Sequence, residues 1–313
     1  MSEKTPIFIP RFRVPRFLNV DLMLKLGSLA FAALATWALY QLWVWPAVTE
    51  IELQGRAASI SSQVYEASRD PAVIIKDPEQ FFEIVCWVWA ILLLAIKLRR
   101  LRQENRMLGL DYLGLRSGDQ IPQHQALDRL NDIESALGEN PSWRDRVLPN
   151  VILSALHRFH ITGSVVDASQ SVKERSDVTA SEFEADLSLV RFIAWAIPAI
   201  GFIGTVRGIG QALSKAGEAI QGEITGVVDA LGLAFNSTLV ALVISIPLMF
   251  LLYLVQGWQD KFFVDVQGYS DAHVIARLKA TEKPVNASGE PAPVPPIAST
   301  DAMPASVSAP VTA

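Results

Sequence analysis

Apolar and polar positions fall along this chain in long blocks rather than in the short alternation of a soluble fold. Residues 22–48, 81–98, 189–213 and 229–256 are predicted as transmembrane helices. Each is close to or above the roughly 20 apolar residues needed to cross about 30 Å of hydrocarbon as a helix. Residues 1–21 are basic and broken by prolines, 49–80 are polar with an acidic excess, and 214–228 form a short polar turn. Residues 99–188 are charged with helical periodicity, and 257–282 continue as a helix. Beyond residue 283 the composition collapses into proline, alanine, serine and valine. Such a tail buries too little apolar surface to offset its ordering entropy and is predicted to be disordered. The fold class expected is therefore all-α: a polytopic membrane protein with four transmembrane helices, a helical cytoplasmic region and a disordered C-terminal tail.

The basic flanks orient it. Lys4, Arg11, Arg13 and Arg16 precede span one, and Lys97, Arg99, Arg100, Arg102 and Arg106 follow span two. Basic flanks stay on the cytoplasmic side, so both termini and residues 99–188 are expected inside, with 49–80 and 214–228 in the periplasm. Ala33, Leu34 and Ala35 resemble a signal-peptide cleavage site, but the apolar run continues through Trp37, Leu39, Trp43 and Trp45, so span one is read as uncleaved.

In the charged region, Leu127, Leu130, Ile133 and Leu137 form one amphipathic stripe. Asn140 with Pro141 reads as an N-cap and first-turn proline opening a helix that carries Val151, Ile152, Ala155, Leu156 and Phe159. Ser181 with Glu184 reads as a capping box ahead of span three, which is expected to begin in the cytoplasm and enter the membrane without a break.

Residues 189–256 form the centre of the chain. In span three Ala194, Pro198, Gly201, Thr205, Gly208 and Ala212 recur at steps of about four and three residues, which places them on one helix face. Gly204 lies within the same run. Span four repeats the device with Ala234, Thr238, Ala241 and Ser245, while Leu239, Leu242, Val243, Ile246, Met249 and Phe250 occupy other faces. Small residues let helices approach closely in lipid, where apolar contact alone gives them no reason to associate. Pro198 and Pro247 each remove a backbone donor and can hinge a helix.

Composition agrees with the membrane reading: of 313 residues, 50% are hydrophobic and only 19% charged, and the mean hydropathy is +0.28. A net charge of -5, with basic residues lying beside apolar segments, offers no nucleic-acid surface. Cys86 is the single cysteine, which excludes an intrachain disulfide and a multi-cysteine zinc site. Gly208 and Gly210 begin a GxG run, but Leu213 occupies the third glycine position inside an apolar helix. His157 and His160 share a helix face without a third ligand. Asn236, Ser237 and Thr238 spell a glycosylation acceptor placed within a span, out of reach of that machinery. No catalytic set, metal site or cofactor is expected, and an integral-membrane enzyme is the least supported reading for want of convergent acid, base or metal groups.

An ionisable side chain inside a span is the default functional suspect. Spans three and four carry only Arg191, Arg207 and Asp229, near their ends. Were ions to cross here, the titrating carboxylate would have to come from another chain, with Thr205 and Thr238 supplying hydroxyls along the path. For each threonine the plainer role is a hydrogen bond to its own helix carbonyl.

Residues 197–209 and 234–247, containing the GxxGT run Gly201 to Thr205 and the later Thr238 ahead of Ile246 and Pro247, resemble the MotA/TolQ/ExbB proton-channel family. The resemblance is specific over about sixty residues. It implies an ion path lined by Thr205 and Thr238, and a homopentameric ring in the bacterial inner membrane. It also implies a MotB-, ExbD- or TolR-like single-span partner whose aspartate carries the proton, and mechanical work as the output. The chain departs from that pattern in three ways. Leu233 stands where ExbB and TolQ have a glutamate five places before the threonine. Four spans rather than three resemble the layout of MotA or ZorA, with a longer external segment than MotA's. Arg207 replaces a tryptophan often found after the GTV run. The reading from a different class is a membrane scaffold that recruits partners through its cytoplasmic helices without ion flux. A neighbouring gene for a single-span protein with a central aspartate discriminates the two.

Overall fold

The computed structural model describes residues 16–60, 70–109, 119–139, 143 and 145–280. Residues 140–142 and 283–313 lie outside them, and with them the Asn140–Pro141 cap and the predicted disordered tail. Helix α1 (Arg16–Leu39) passes through a π-helical turn at Tyr40–Val44 into α2 (Trp45–Ile60). Pro46 explains the turn, since it brings no N–H to the ladder and its ring displaces the preceding carbonyls, a common origin of a widened turn. A short α3 (Pro71–Ile74), capped by the Asp70 carboxylate on the Ala72 N–H at 2.9 Å, leads into α4 (Pro78–Met107).

Strand β1 (Ile121–Pro122), α5 (Gln123–Glu139), α6 (Val147–Thr162) and α7 (Val165–Asp186) build the charged helical domain. Its core joins Leu148, Ile152, Leu156 and Phe159 of α6 to Val172 and Phe183 of α7. Helix α6 opens at Val147 with Arg146 as its N-cap residue. The cap is supplied from a distance: the buried Glu104 carboxylate of α4 accepts the Val147 N–H at 3.0 Å and the Arg146 guanidinium at 3.1 Å. At its other end Gly163 takes φ +65°, a left-handed value that glycine adopts without steric cost, and returns its N–H to the Phe159 carbonyl at 2.8 Å. Ser164 then caps α7 through the Asp167 N–H at 3.2 Å.

Ser181 is not a cap. It lies inside α7 with its hydroxyl on the Asp177 carbonyl at 3.0 Å, because a helical serine can bond back one turn. The helix start is the Ser164 cap, seventeen residues earlier in the chain (181 minus 164). From Val165 the rod continues through one tight turn at the buried Leu187 into α8 (Ser188–Ser214). Asp186, beside that turn, is bound by Lys97 at 2.7 Å and Arg100 at 3.3 Å, both from the far end of α4.

A short α9 (Ala216–Ile220) reverses the chain into α10 (Thr225–His273), an unbroken helix of 49 residues that passes the membrane segment and enters the core of the charged domain at Phe262, Phe263 and Val266. After a 3₁₀ turn at Ile275–Arg277, β2 (Leu278–Lys279) pairs in parallel with β1. Among the described residues, four helices are long and apolar enough to cross a membrane: Leu22–Ile51, Pro78–Met107, Val165–Ser214 and Thr225–Arg277. The protein is an all-α multi-pass membrane protein, with that two-residue strand pair as the one sheet among the described residues. Each predicted apolar block lies inside one of these helices, and each helix outruns its block.

Candidate functional site

The site is the contact between α8 and α10, the most extensive helix pair in the molecule. Gly201, Gly204, Gly208 and Ala212 of α8 face Ala230, Ala234, Ser237 and Ala241 of α10, all buried. The absence of side chains allows the approach. A Cβ on Gly201 would stand 2.5 Å from the Ala241 Cβ, one on Gly204 2.5 Å from the Ser237 Cβ, and one on Gly208 2.7 Å from the Ala234 Cβ. The opposite faces stay apolar and open, with Phe235 70% and Ile246 67% exposed. Pro198 and Pro247 both lie inside continuous helices.

Thr205 and Thr238 meet across this seam, hydroxyl to hydroxyl. Thr205 also reaches the Gly201 carbonyl at 3.2 Å and the Ala234 carbonyl at 3.1 Å, and Thr238 reaches the Gly201 carbonyl at 3.3 Å. Two hydroxyl protons thus have two carbonyls and each other as acceptors. With one hydroxyl donating to its neighbour and the other to a carbonyl, both protons are used inside the seam. What the pair then presents outward is oxygen lone pairs, able to accept from a passing water or acid. Both threonines are half-buried, so the pair reaches the surface of the chain. Ser245 is buried and donates to its own helix at the Leu242 carbonyl, 3.2 Å away.

Helix α4 covers the neighbouring side of the seam with polar residues. Glu79, Gln80 and Glu83 all lie in its first two turns and all are buried. Gln80 donates to the Ser237 hydroxyl at 3.3 Å, and Ser237 donates to the Leu233 carbonyl at 3.1 Å. The Glu79 carboxylate pairs with the Arg207 guanidinium at 2.7 Å. Arg207, the residue that departs from the GTV-tryptophan pattern, therefore has its countercharge within this chain. Just before the helix, burial pushes the Asp77 carboxyl up from its ordinary range; Lys76 and Arg207 pull it down and Glu79 pushes it further up.

Sequence reasoning paired the two threonine stripes but missed what α4 brings to them. Glu79 and Gln80 had been read as part of the polar segment 49–80, yet Pro78 at the first position starts the helix before them. Glu83 stood in the apolar block 81–98, where a carboxylate is itself the signal. Ser237 was visible only as part of a discarded glycosylation motif. His157 and His160 lie on α6, His160 accepting the Gln123 amide at its backbone carbonyl, 2.8 Å away.

Residues 145–267 match the model of the MotA/TolQ/ExbB proton channel family. The matched region holds α6 to α8 and most of α10, including both threonines. That family is one of proton channels. No curated protein and no solved structure matches the chain.

Proposed function

We propose that the chain is an ion-driven, stator-type subunit of the bacterial inner membrane, passing protons along a path lined by Thr205 and Thr238 and converting the ion-motive force into mechanical work. The observation that carries this reading is the hydroxyl pair in the α8–α10 seam, inside the region that matches the proton-channel family. No Asp, Glu or Lys of α8 or α10 stands beside that pair, and the mobile acid of this reading is that of a MotB-, ExbD- or TolR-like single-span partner enclosed by a pentamer of this chain. The outward lone pairs of the two threonines accept from that acid or from a water escorting it. The basic residues after span two support a topology with the charged helical domain and both termini in the cytoplasm and the turn around α9 in the periplasm. Each proton that moves down about 100 mV releases about 2.3 kcal/mol, which several crossings add into a rotational step.

The experiment is co-expression with a MotB-, ExbD- or TolR-like single-span protein and measurement of proton flux into vesicles. Thr205→Val with Thr238→Val keeps the volume and removes both hydroxyls, and is expected to abolish flux while assembly persists. Wild-type flux in the double variant removes the assignment.

A further inference from the structure

Glu83 sits five residues into α4, about 7.5 Å along the helix from its start. Its relative exposure is 0%, and neither carboxylate oxygen has a hydrogen-bond partner. Two neighbours create the space it fills. Gly201 has no side chain, and a Cβ there would lie 3.3 Å from the Glu83 Oε1. Gly204 likewise leaves room for Glu79, whose Cγ would lie 3.2 Å from a Cβ at that position. The ionisable groups around Glu83 among the described residues are few. On its own helix they are Glu79 and Cys86. Span one brings the Tyr40 phenol, which donates to the Ile75 carbonyl at 2.6 Å. Span three brings Arg207, already engaged by Glu79, and span four brings only the Ser237 hydroxyl, engaged by Gln80. No cation is left to pair with Glu83, and an ionised carboxylate buried without a partner is strongly disfavoured.

We propose that Glu83 is a proton-binding site supplied by this chain itself, a neutral carboxylic acid inside span two that exchanges its proton with the ion route at the Thr205–Thr238 pair. Gly201 is the link. Its carbonyl accepts from both threonines, while its bare Cα faces the Glu83 carboxyl. One residue of backbone thus separates the acid from the hydroxyls. A ring of such chains holds a stationary acid in each copy, in addition to the acid of the partner. Proton exchange at Glu83 breaks its O–H bond and passes the proton to a water or hydroxyl oxygen, leaving a carboxylate that is reprotonated from the same route; no other bond changes. The second half of the proposal rests on the proton-channel reading, and the first half does not.

Two measurements separate them. The infrared difference spectrum between the wild-type chain and Glu83→Gln, in lipid vesicles at neutral pH without partner, is expected to contain a carboxylic-acid C=O band that shifts on transfer to deuterated water. A difference containing only carboxylate bands overturns the proposal whatever the protein does. With the partner present, Glu83→Gln is expected to lose proton flux and Glu83→Asp to retain part of it, with assembly unchanged. Wild-type flux in Glu83→Gln overturns the exchange with the ion route. Loss of flux in Glu83→Gln beside wild-type flux in the double threonine variant would sink the threonine path and leave the acid standing. Should Glu83→Gln fail to assemble, Glu83→Asp replaces it in the spectra, where an acid band at the wild-type position overturns the proposal.

Discussion

Gly208 shows how much one missing carbon decides. A Cβ there would meet the Ala234 Cβ at 2.7 Å, the Ala230 carbonyl oxygen at 2.8 Å and the Ala234 nitrogen at 2.8 Å, two of them backbone atoms that have no rotamer to change. Gly210, two residues on, would meet nothing within 4 Å. Gly208→Ala is therefore expected to spread α8 from α10 and cost about 1–3 kcal/mol, the usual toll of overpacking, while Gly210→Ala is neutral or slightly stabilising. Thermal unfolding in matched lipid checks it, and equal midpoints for the two variants would contradict the close-packed seam. The spacing of small residues made this contact legible in sequence, since glycine at every third or fourth place has few other uses in lipid. The acid beside it was not legible. Glu83 comes to Gly201 through α4, more than a hundred residues away in the chain, and no periodicity within a span records such a neighbour.

Helix starts follow a similar logic. The stripes of the charged domain were mostly readable: Leu130, Ile133, Leu137, Val151, Ile152, Ala155, Leu156 and Phe159 are all buried, whereas Leu127, read as part of the first stripe, is 41% exposed at its edge. The caps were not, because α6 takes its cap from Glu104 on another helix rather than from its own flank. That carboxylate is 2% exposed, holds a first-turn N–H at 3.0 Å and pairs with Arg146 at 3.1 Å, so it completes α6 and compensates a buried charge at once. Glu104→Ala leaves Arg146 without that partner and the Val147 N–H without an acceptor, and is expected to cost about 3–5 kcal/mol. Glu104→Gln keeps an acceptor and should cost about 1.5–3 kcal/mol, the worth of a hydrogen bond to a charged group. Hydrogen exchange of the first-turn amides of α6 in the full chain reads the effect locally. Equal protection in wild type and Glu104→Ala would mean that α6 is held by packing alone.

The two long rods give the molecule its mechanical character. Val165–Ser214 contains 50 residues and Thr225–His273 contains 49, each more than 70 Å of helix at about 1.5 Å per residue, against about 30 Å of hydrocarbon. Each rod therefore carries the seam at one end and part of the charged domain's core at the other, joined in α10 by one continuous helix and in the other rod through the turn at Leu187. The weak point is Leu187, where α7 passes into α8 with its N–H on the Glu184 carbonyl at 3.1 Å, three residues back instead of four. Lys97 and Arg100 hold Asp186 beside it, and the Arg100 guanidinium lies 4.6 Å over the Phe183 ring. If that clamp keeps the rod straight, spin labels at the exposed positions Val178→Cys and Leu213→Cys, with Cys86→Ser to remove the one native thiol, should report one narrow distance near 52 Å, the length of 35 helical residues. Asp186→Asn weakens the hold of both cations and is expected to broaden the distribution toward shorter values, with little change in thermal midpoint because the pairs are partly exposed. A distribution already broad in the wild type would make Leu187 a joint, and force generated at the seam would then be absorbed there before it reached α7.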